Sequence, residues 1–286
     1  MSGAGDSAET ARLAVIEAAR TGAYDRYAAA LLGPRGARDA LLALAAFEAE
    51  LTRIAPATRR EPRMGEIRLQ WWREALEEAA PPSGHPVADA VKVAARAHAW
   101  SLDSLVDIID AHAHDGLADA FADDQELLAT LELGEATLFR LAARACGMPP
   151  GEPLDALAAR AGVAYGLARR IAMLPLLVAQ GHLPLPQSRL AAAGVEMQSL
   201  LAGDGTGLTG VLVDLADLAR DRLAGARGDL AALPRRFRSA FLPLALVEPY
   251  LDASVQPGRD PLRTSHELSH FARLLRLARG QMFGRV

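Results

Sequence analysis

The sequence lacks the features of a secreted or nucleic-acid-binding protein. It contains one cysteine, Cys146, so no internal disulfide can form, which is typical of a reducing compartment. Its net charge of −4 argues against a nucleic-acid partner, which would need a basic face. The first residues, MSGAGDSAETAR, have neither the basic nor the apolar region of a secretory signal. We therefore expect a cytoplasmic protein without a nucleic-acid partner.

Long apolar runs, aromatic residues and lysine are also scarce. No run approaches the ~20 apolar residues of a membrane span; the longest, Ile171–Ala179, contains Pro175. Aromatic residues make up 5% of the chain, and Lys92 is the only lysine among 31 basic residues. The arginine bias is typical of a GC-rich bacterial genome. Membrane contact, where it occurs, is predicted to be peripheral, on the inner face of the cytoplasmic membrane.

Alanine and leucine are abundant and recur at helical spacing, with apolar residues at i, i+3, i+4 and i+7. Glycine and proline separate the repeating segments, and no gap is long enough for a linker. The pattern predicts one all-α domain over residues 1–286, with residues 1–7 disordered. About ten helices are expected, near residues 8–31, 36–55, 63–80, 86–99, 102–115, 123–146, 153–180, 207–226, 236–253 and 260–278.

The predicted helix near 63–80 has a clear apolar face. Met64, Ile67, Trp71 and Leu76 share one side, with Trp72 at its margin. The spacing predicts that this side is buried. Two adjacent tryptophans cannot both point straight inward, so one is expected in the core and the other beside it or lining a cavity.

Three segments in order resemble the squalene/phytoene synthase family. They are YDRYAAALLGPRGARDALLALAAFEAELTRI (Tyr24–Ile54), RLQWWREAL (Arg68–Leu76) and GVAYGLARRIAMLPLLVAQGHLPLP (Gly162–Pro186). The resemblance implies the isoprenoid-synthase fold, a single helical bundle around a central cavity. The candidate cavity-lining residues are Phe47, Trp71, Trp72 and Tyr165.

Active members of that family carry two D-x-x-x-D motifs on facing helices. Four-residue spacing places both carboxylates on one helical face, where they hold the Mg²⁺ that neutralises a diphosphate leaving group. The corresponding positions here are Thr52 and Pro56, then Met173 and Leu177, and no acid occurs from Ala156 to Val195. These degenerate acidic motifs predict neither a metal site nor a catalytic residue, and hence no cofactor.

The substituted motifs resemble a non-synthase branch of the family that includes mitochondrial assembly factors for respiratory complex I. The resemblance implies a pseudoenzyme with a role in assembly or maintenance of that complex. Its partners would be respiratory-complex subunits or assembly proteins.

Two other functions remain open. One is head-to-head condensation of two prenyl diphosphates in isoprenoid biosynthesis, a transferase reaction that would need Mg²⁺ and a metal site built from other acids. The other is metal-independent binding of an isoprenoid or an anionic lipid, for which Arg169 and Arg170 are the candidate anion-binding residues because guanidinium can clamp phosphate oxygens.

Two further patterns allow more than one interpretation. The acidic stretch of residues 103–124 contains two pairs at metal-ligand spacing, Asp110 with His114 and Asp115 with Asp119, but a solvated helix end explains it better. The segment HFARLLRLARGQMFGRV (His270–Val286) is basic and amphipathic. It suits a membrane surface or a partner protein, and equally a packed last helix.

Overall fold

The computed structural model describes residues 2–77, 80–117, 120–256, 260–262 and 268–284, with the backbone alone for 2–6, 55–60 and 115–117. No β-strand occurs in these residues beyond one isolated bridge between Phe121 and Pro186. The all-α prediction is confirmed. The α-helices are α1 (Ser2–Gly22), α2 (Tyr24–Leu32), α3 (Arg38–Arg60), α4 (Pro62–Leu76), α5 (Pro86–His98), α6 (Leu102–Leu117), α7 (Asp124–Leu131), α8 (Thr137–Ala145), α9 (Glu152–Ala179), α10 (Gln187–Ala192), α11 (Met197–Leu201), α12 (Leu208–Ala232), α13 (Arg235–Arg238), α14 (Val247–Ser254) and α15 (His270–Phe283).

Three other helical pieces join these elements. Short 3₁₀ segments cover Arg35–Ala37 and Ser239–Leu246, and a π-helical segment, Glu132–Ala136, links α7 to α8. The predicted helix of 123–146 is therefore continuous but contains a π-helical turn. Such turns are rare and often mark functional positions.

Most predicted helices are present, with differences at their ends. The segment predicted over 8–31 is divided at Ala23, and α1 begins at Ser2, inside the stretch expected to be disordered. Helices α10 and α11 are too short for sequence periodicity to reveal. The last helix begins at His270 rather than near residue 260, and the Ser269 side chain caps it by accepting a hydrogen bond from the Ala272 N–H. Asp260 accepts a hydrogen bond from the Leu262 N–H in a local turn.

The apolar face predicted for α4 is wrong. Met64, Ile67 and Trp71 are solvent-exposed, Ile67 to 61%. The buried side carries Gly65, Leu69, Trp72, Ala75 and Leu76. Trp72 packs against Phe47 of α3, with ring centroids 5.2 Å apart. The error has a physical cause: α4 has apolar residues on two sides, and only packing against α3 decides which side is covered.

Helices α3 and α9 form the centre of the bundle. Helix α3 contacts α1, α2, α4, α5 and α6, whereas α9 contacts α8, α12, α14 and the π-helical segment. Among the described residues, α9 is the one helix long and apolar enough to cross a membrane, although no apolar run in the sequence predicts a membrane span. However, 67% of its most apolar window is buried inside the bundle. Most of its apolar residues thus face other helices.

Two glycines bring α9 into close contact with the π-helical segment. A Cβ on Gly162 would lie 2.4 Å from the backbone nitrogen of Ala136. A Cβ on Gly166 would lie 2.5 Å from Leu131 Cδ2 and 3.2 Å from Glu135 Cγ. The GVAYG sequence therefore lets α9 approach a segment that carries Glu135.

We expect Gly162→Ala to destabilise the protein by at least roughly 1–3 kcal/mol, because the added methyl group meets backbone that cannot move aside. Urea denaturation followed by far-ultraviolet circular dichroism measures this loss.

Gly228→Ala is the matched control. Gly228 is exposed in the interior of α12, and a Cβ there meets nothing within 4 Å. The change should stabilise the protein by about 0.5–1 kcal/mol through helix propensity. An unchanged denaturation midpoint for Gly162→Ala would contradict the close-packing argument.

Candidate functional site

The structure places the four degenerate motif positions as follows. Thr52 is exposed on α3, with its Oγ1 3.5 Å from Nε2 of His112. Met173 and Leu177 are half-buried on α9. Pro56 belongs to the backbone of α3, and its side chain lies outside the described residues.

An ion pair lies one helical turn before these positions. Glu48 precedes Thr52 by four residues, and Arg169 precedes Met173 by four. Arg169 Nη1 is 3.7 Å from Glu48 Oε1, and Arg169 Nη2 is 3.5 Å from the Met173 sulfur. The two helices that carry metal motifs in active relatives are thus joined here by a side-chain ion pair.

Arg26 of α2 extends this pair into a cluster. Its Nε lies 2.8 Å from Glu48 Oε2, and its Nη2 donates to Glu135 Oε2 at 2.5 Å. Its guanidinium carbon also stands 4.7 Å from the centre of the Phe139 ring. The Arg26 side chain is only 6% exposed. It therefore connects α2, α3 and the π-helical segment from inside the bundle.

Asp25, next to Arg26, accepts a second set of hydrogen bonds. Its carboxylate accepts hydrogen bonds from the hydroxyls of Tyr165 at 2.8 Å and Tyr250 at 2.6 Å. It also accepts one from Arg273 Nη1 of α15 at 3.1 Å. Tyr165 links the two sets, because Arg169 Nη1 lies 3.5 Å from its hydroxyl. We call these residues the buried charge network: Asp25, Arg26, Glu48, Glu135, Tyr165, Arg169, Tyr250 and Arg273.

The buried charge network is balanced, with three carboxylates and three guanidinium groups. Burial raises the pKa of Glu48, while Arg26 and Arg169 oppose that rise. Burial and the nearby Asp25 charge raise the pKa of Tyr165 well above its usual value. Both effects likewise raise the pKa of Tyr250. The tyrosines therefore stay neutral and donate hydrogen bonds.

The donors at this centre do not fit Mg²⁺. That ion prefers several carboxylate and water oxygens in octahedral geometry. Thr52, Met173 and Leu177 supply no carboxylate, and Glu48 is already held between two arginines. Within the described residues, no three His, Cys, Asp or Glu side chains lie close enough to share a metal ion. The buried charge network therefore joins the two helices that carry the substituted motif positions. It does so with ion pairs and offers no free carboxylates for a metal ion.

Three of the predicted cavity-lining residues are packed in the interior. Phe47, Trp72 and Tyr165 are buried, and Tyr165 meets Phe139 edge to face with ring centroids 5.8 Å apart. Trp71 lies on the exposed side of α4, 38% exposed, and its cavity-lining role stays a prediction. One void in this region, beside Arg26, has a volume of about 20 Å³, enough for about one water molecule.

The candidate anion-binding arginines have different surroundings. Arg169 faces Glu48 and Tyr165 within the network. Arg170 lies over the ring of Phe121, 5.2 Å from its centre. The two guanidinium groups therefore have different neighbours, and the anion-binding role of both residues stays a prediction.

The acidic stretch does not assemble a metal site among the described residues. Asp110 pairs with Arg73 of α4 at 2.5 Å, and His114 Nε2 is 3.4 Å from Glu126 Oε1. The side chains of Asp115 and Asp119 lie outside the described residues. Asp110 and His114 therefore take part in contacts between helices.

Most of the buried charge network was not predicted from the sequence. The sequence YDRYAAALL held one signal, because Asp25 and Arg26 are two opposite charges at the start of an otherwise apolar helix. Glu135, Tyr250 and Arg273 carried no such signal. Their partners are more than 100 residues away in the chain.

We expect Arg26→Met to cost about 3–5 kcal/mol of stability, because it leaves Glu48 and Glu135 buried with one less cation. Urea denaturation at pH 7 measures the loss. The matched control is Arg53→Met. Arg53 also pairs with a glutamate, Glu50, at 2.8 Å, but its side chain is 71% exposed. Its loss should stay below about 1 kcal/mol.

The pH dependence separates lost charge balance from lost packing. Without Arg26, the pKa of Glu48 should rise further above its unfolded value. A carboxyl group with a raised folded pKa favours folding at low pH, and this contribution is lost as the pH rises through the folded pKa. The deficit of Arg26→Met should therefore be smaller near pH 5 than near pH 8. A deficit equal at both values would indicate a packing defect alone.

Comparison with known proteins agrees with this fold. The profile described as squalene/phytoene synthase matches residues 19–275. NADH dehydrogenase (ubiquinone) complex I, assembly factor 6, of Rattus norvegicus is 26% identical over 239 residues, 82% of this chain and 71% of the relative. The Homo sapiens protein of the same name is 25% identical, with the same coverage.

Two solved structures have a similar backbone. Squalene synthase HpnC from Alicyclobacillus acidocaldarius matches with a TM-score of 0.72 at 16% identity, covering 86% of this chain and 93% of that one. A dehydrosqualene synthase in complex with ligand matches with a TM-score of 0.75 at 14% identity, covering 97% and 98%. At these identities the likeness concerns the fold. Because the family profile spans most of its length, this chain belongs to the squalene/phytoene synthase family.

Proposed function

We propose that this chain is a non-catalytic member of its family that acts in the assembly or maintenance of respiratory complex I. One observation carries the non-catalytic part: the centre between α3 and α9 is held by ion pairs in which Arg26 and Arg169 neutralise Glu48 and Glu135. A magnesium diphosphate needs uncompensated carboxylates on both helices. None is available at Thr52, Met173 or Leu177.

The assembly role is supported by the names of the curated relatives, which cover 82% of this chain. A protein in that role works through contacts, so its fold has to be rigid and its outer surface has to bind partners. The partners proposed here are respiratory-complex subunits or assembly proteins. The proposed location is the cytoplasm, with peripheral contact at the inner face of the cytoplasmic membrane of a bacterial cell.

Deletion of the gene in its native host should lower the amount and the activity of complex I. NADH-dependent quinone reduction in isolated membranes and native gels of the complex measure this effect. Succinate-dependent respiration serves as the control, because it bypasses complex I. The wild-type chain and Arg53→Met should both restore the deletion strain. Normal complex I in the mutant would reject the assembly role.

The purified protein should release no pyrophosphate from farnesyl or geranylgeranyl diphosphate in the presence of Mg²⁺, because the donors for the metal are missing. An active squalene synthase assayed in parallel is the positive control. Sustained release with a squalene- or phytoene-type product would establish the transferase instead. Binding of farnesyl diphosphate in EDTA, lost in Arg169→Ala with Arg170→Ala, would support the isoprenoid-binding alternative.

A further inference from the structure

Helix α15 has an apolar face that points away from the protein. Phe271 is 75% exposed and Met282 is 67% exposed. Leu274 and Leu275, which lie between them in the sequence, are also exposed. Their spacing of i, i+3, i+4 and i+11 places all four side chains on one side of the helix. A continuous outward stripe of this kind is uncommon on a surface that meets only water.

The opposite side of α15 is attached to the bundle, so the helix cannot rotate to hide this stripe. Arg273 donates to the buried carboxylate of Asp25, and Leu277 is fully buried. The ring of His270 stacks on Tyr24, with centroids 3.9 Å apart. The outward direction of Phe271 and Met282 is thus set by the buried charge network beneath them.

The surroundings of the stripe are basic. The sequence of α15 contains no acidic residue, and Arg276 and Arg279 are exposed beside the stripe. Helix α13 adds exposed Arg235 and Arg236, and no acid occurs between them and Glu248.

A cleft connects the two helices. It has a volume of about 340 Å³, and its lining includes Arg235, Arg236, Gly280 and Gly284. Arg235 of α13 lies close to the end of α15, because its Nε is 4.0 Å from the position that a Cβ atom on Gly284 would take. Arg238, at the same cleft, donates to the carbonyl of Leu233 at 2.9 Å. The cleft therefore has the size and charge to take a phosphate group.

We propose that the outward face of α15 and the arginine cleft beside it bind an anionic phospholipid bilayer. The four apolar side chains enter the boundary between headgroups and acyl chains, and Arg276 and Arg279 reach the phosphates at its edge. Arg235 and Arg236 hold a lipid phosphate in the cleft. The positive charge of α13 and α15, whose own sequences contain no acid, is complementary to an anionic lipid surface, and the apolar side chains beside the arginines suit the acyl region of that surface.

The proposed function includes peripheral contact with a membrane, and this inference places that contact on α15 and α13. In this respect the inference rests on the proposed function. Vesicle binding needs no complex I, so failure of the lipid surface and failure of the assembly role are separate results.

Co-sedimentation of the full chain with vesicles tests the inference. The protein should bind vesicles of phosphatidylcholine with about one-third phosphatidylglycerol and bind pure phosphatidylcholine at least about tenfold more weakly, since each arginine near an anionic surface contributes roughly fivefold. Binding should weaken as salt is raised from about 0.05 to about 0.5 M. Absence of binding to the anionic vesicles would overturn the proposal and leave a protein partner as the occupant of the face.

Two double variants with matched controls locate the surface. Phe271→Ser with Met282→Ser should reduce the partition coefficient roughly tenfold or more, because both side chains leave water on binding. Ile67→Ser with Val93→Ser, at 61% and 66% exposure elsewhere, should leave it unchanged.

Arg235→Gln with Arg236→Gln should reduce the preference for anionic vesicles. The matched change on the exposed arginines of α4, Arg63→Gln with Arg68→Gln, should not. All four residues are exposed, so circular dichroism should show folded protein in each case. A loss of binding in the α4 variants rather than in those of α13 and α15 would show that the surface is wrongly assigned.

Discussion

The architecture of this protein depends on the pairing of Arg26 with Glu48 and Glu135 inside the bundle. The Arg26 guanidinium joins α2 to the neighbouring α3 and to the π-helical segment, which lies more than 100 residues further along the chain. Burying a charge is costly unless it is paired, and Arg26 is almost fully buried. The arginine and both glutamates must therefore come together for any of them to be tolerated. This requirement specifies how α2, α3 and the π-helical segment meet.

The same requirement explains local features that otherwise look unrelated. The π-helical turn carries Glu135 toward Arg26, and Gly162 and Gly166 allow α9 to approach that turn. Tyr165, between these glycines, then reaches Asp25 with its hydroxyl. Arg273 binds the other oxygen of Asp25 and so fixes α15. A chain of contacts thus runs from the centre of the bundle to the surface proposed to meet lipid.

The fold and the chemistry of the site have separate physical origins in this protein. An isoprenoid-synthase-like bundle needs apolar helices of suitable length and order, and these are retained. Metal-dependent chemistry needs carboxylates that are free to bind a cation. Here the interior carboxylates are neutralised by arginine side chains of the same chain. A fold shared with two synthases, at 14–16% identity, therefore does not by itself establish their activity in this chain.

The sequence by itself determined the helical class, the order of the main helices, the family and the absence of carboxylates at Thr52, Met173 and Leu177. The helical class and the order of the main helices follow from the spacing of apolar residues close together in the chain, and the family follows from the resemblance of three segments in order. Only the tertiary structure decided which side of α4 is covered, where α15 begins and which charges meet, because those outcomes depend on residues brought together from distant parts of the chain. Trp71 and Trp72 illustrate the limit: both are adjacent and apolar, and only the position of Phe47 on α3 selects Trp72 for the core. Asp25 and Arg273, separated by 248 residues, could be paired only by folding.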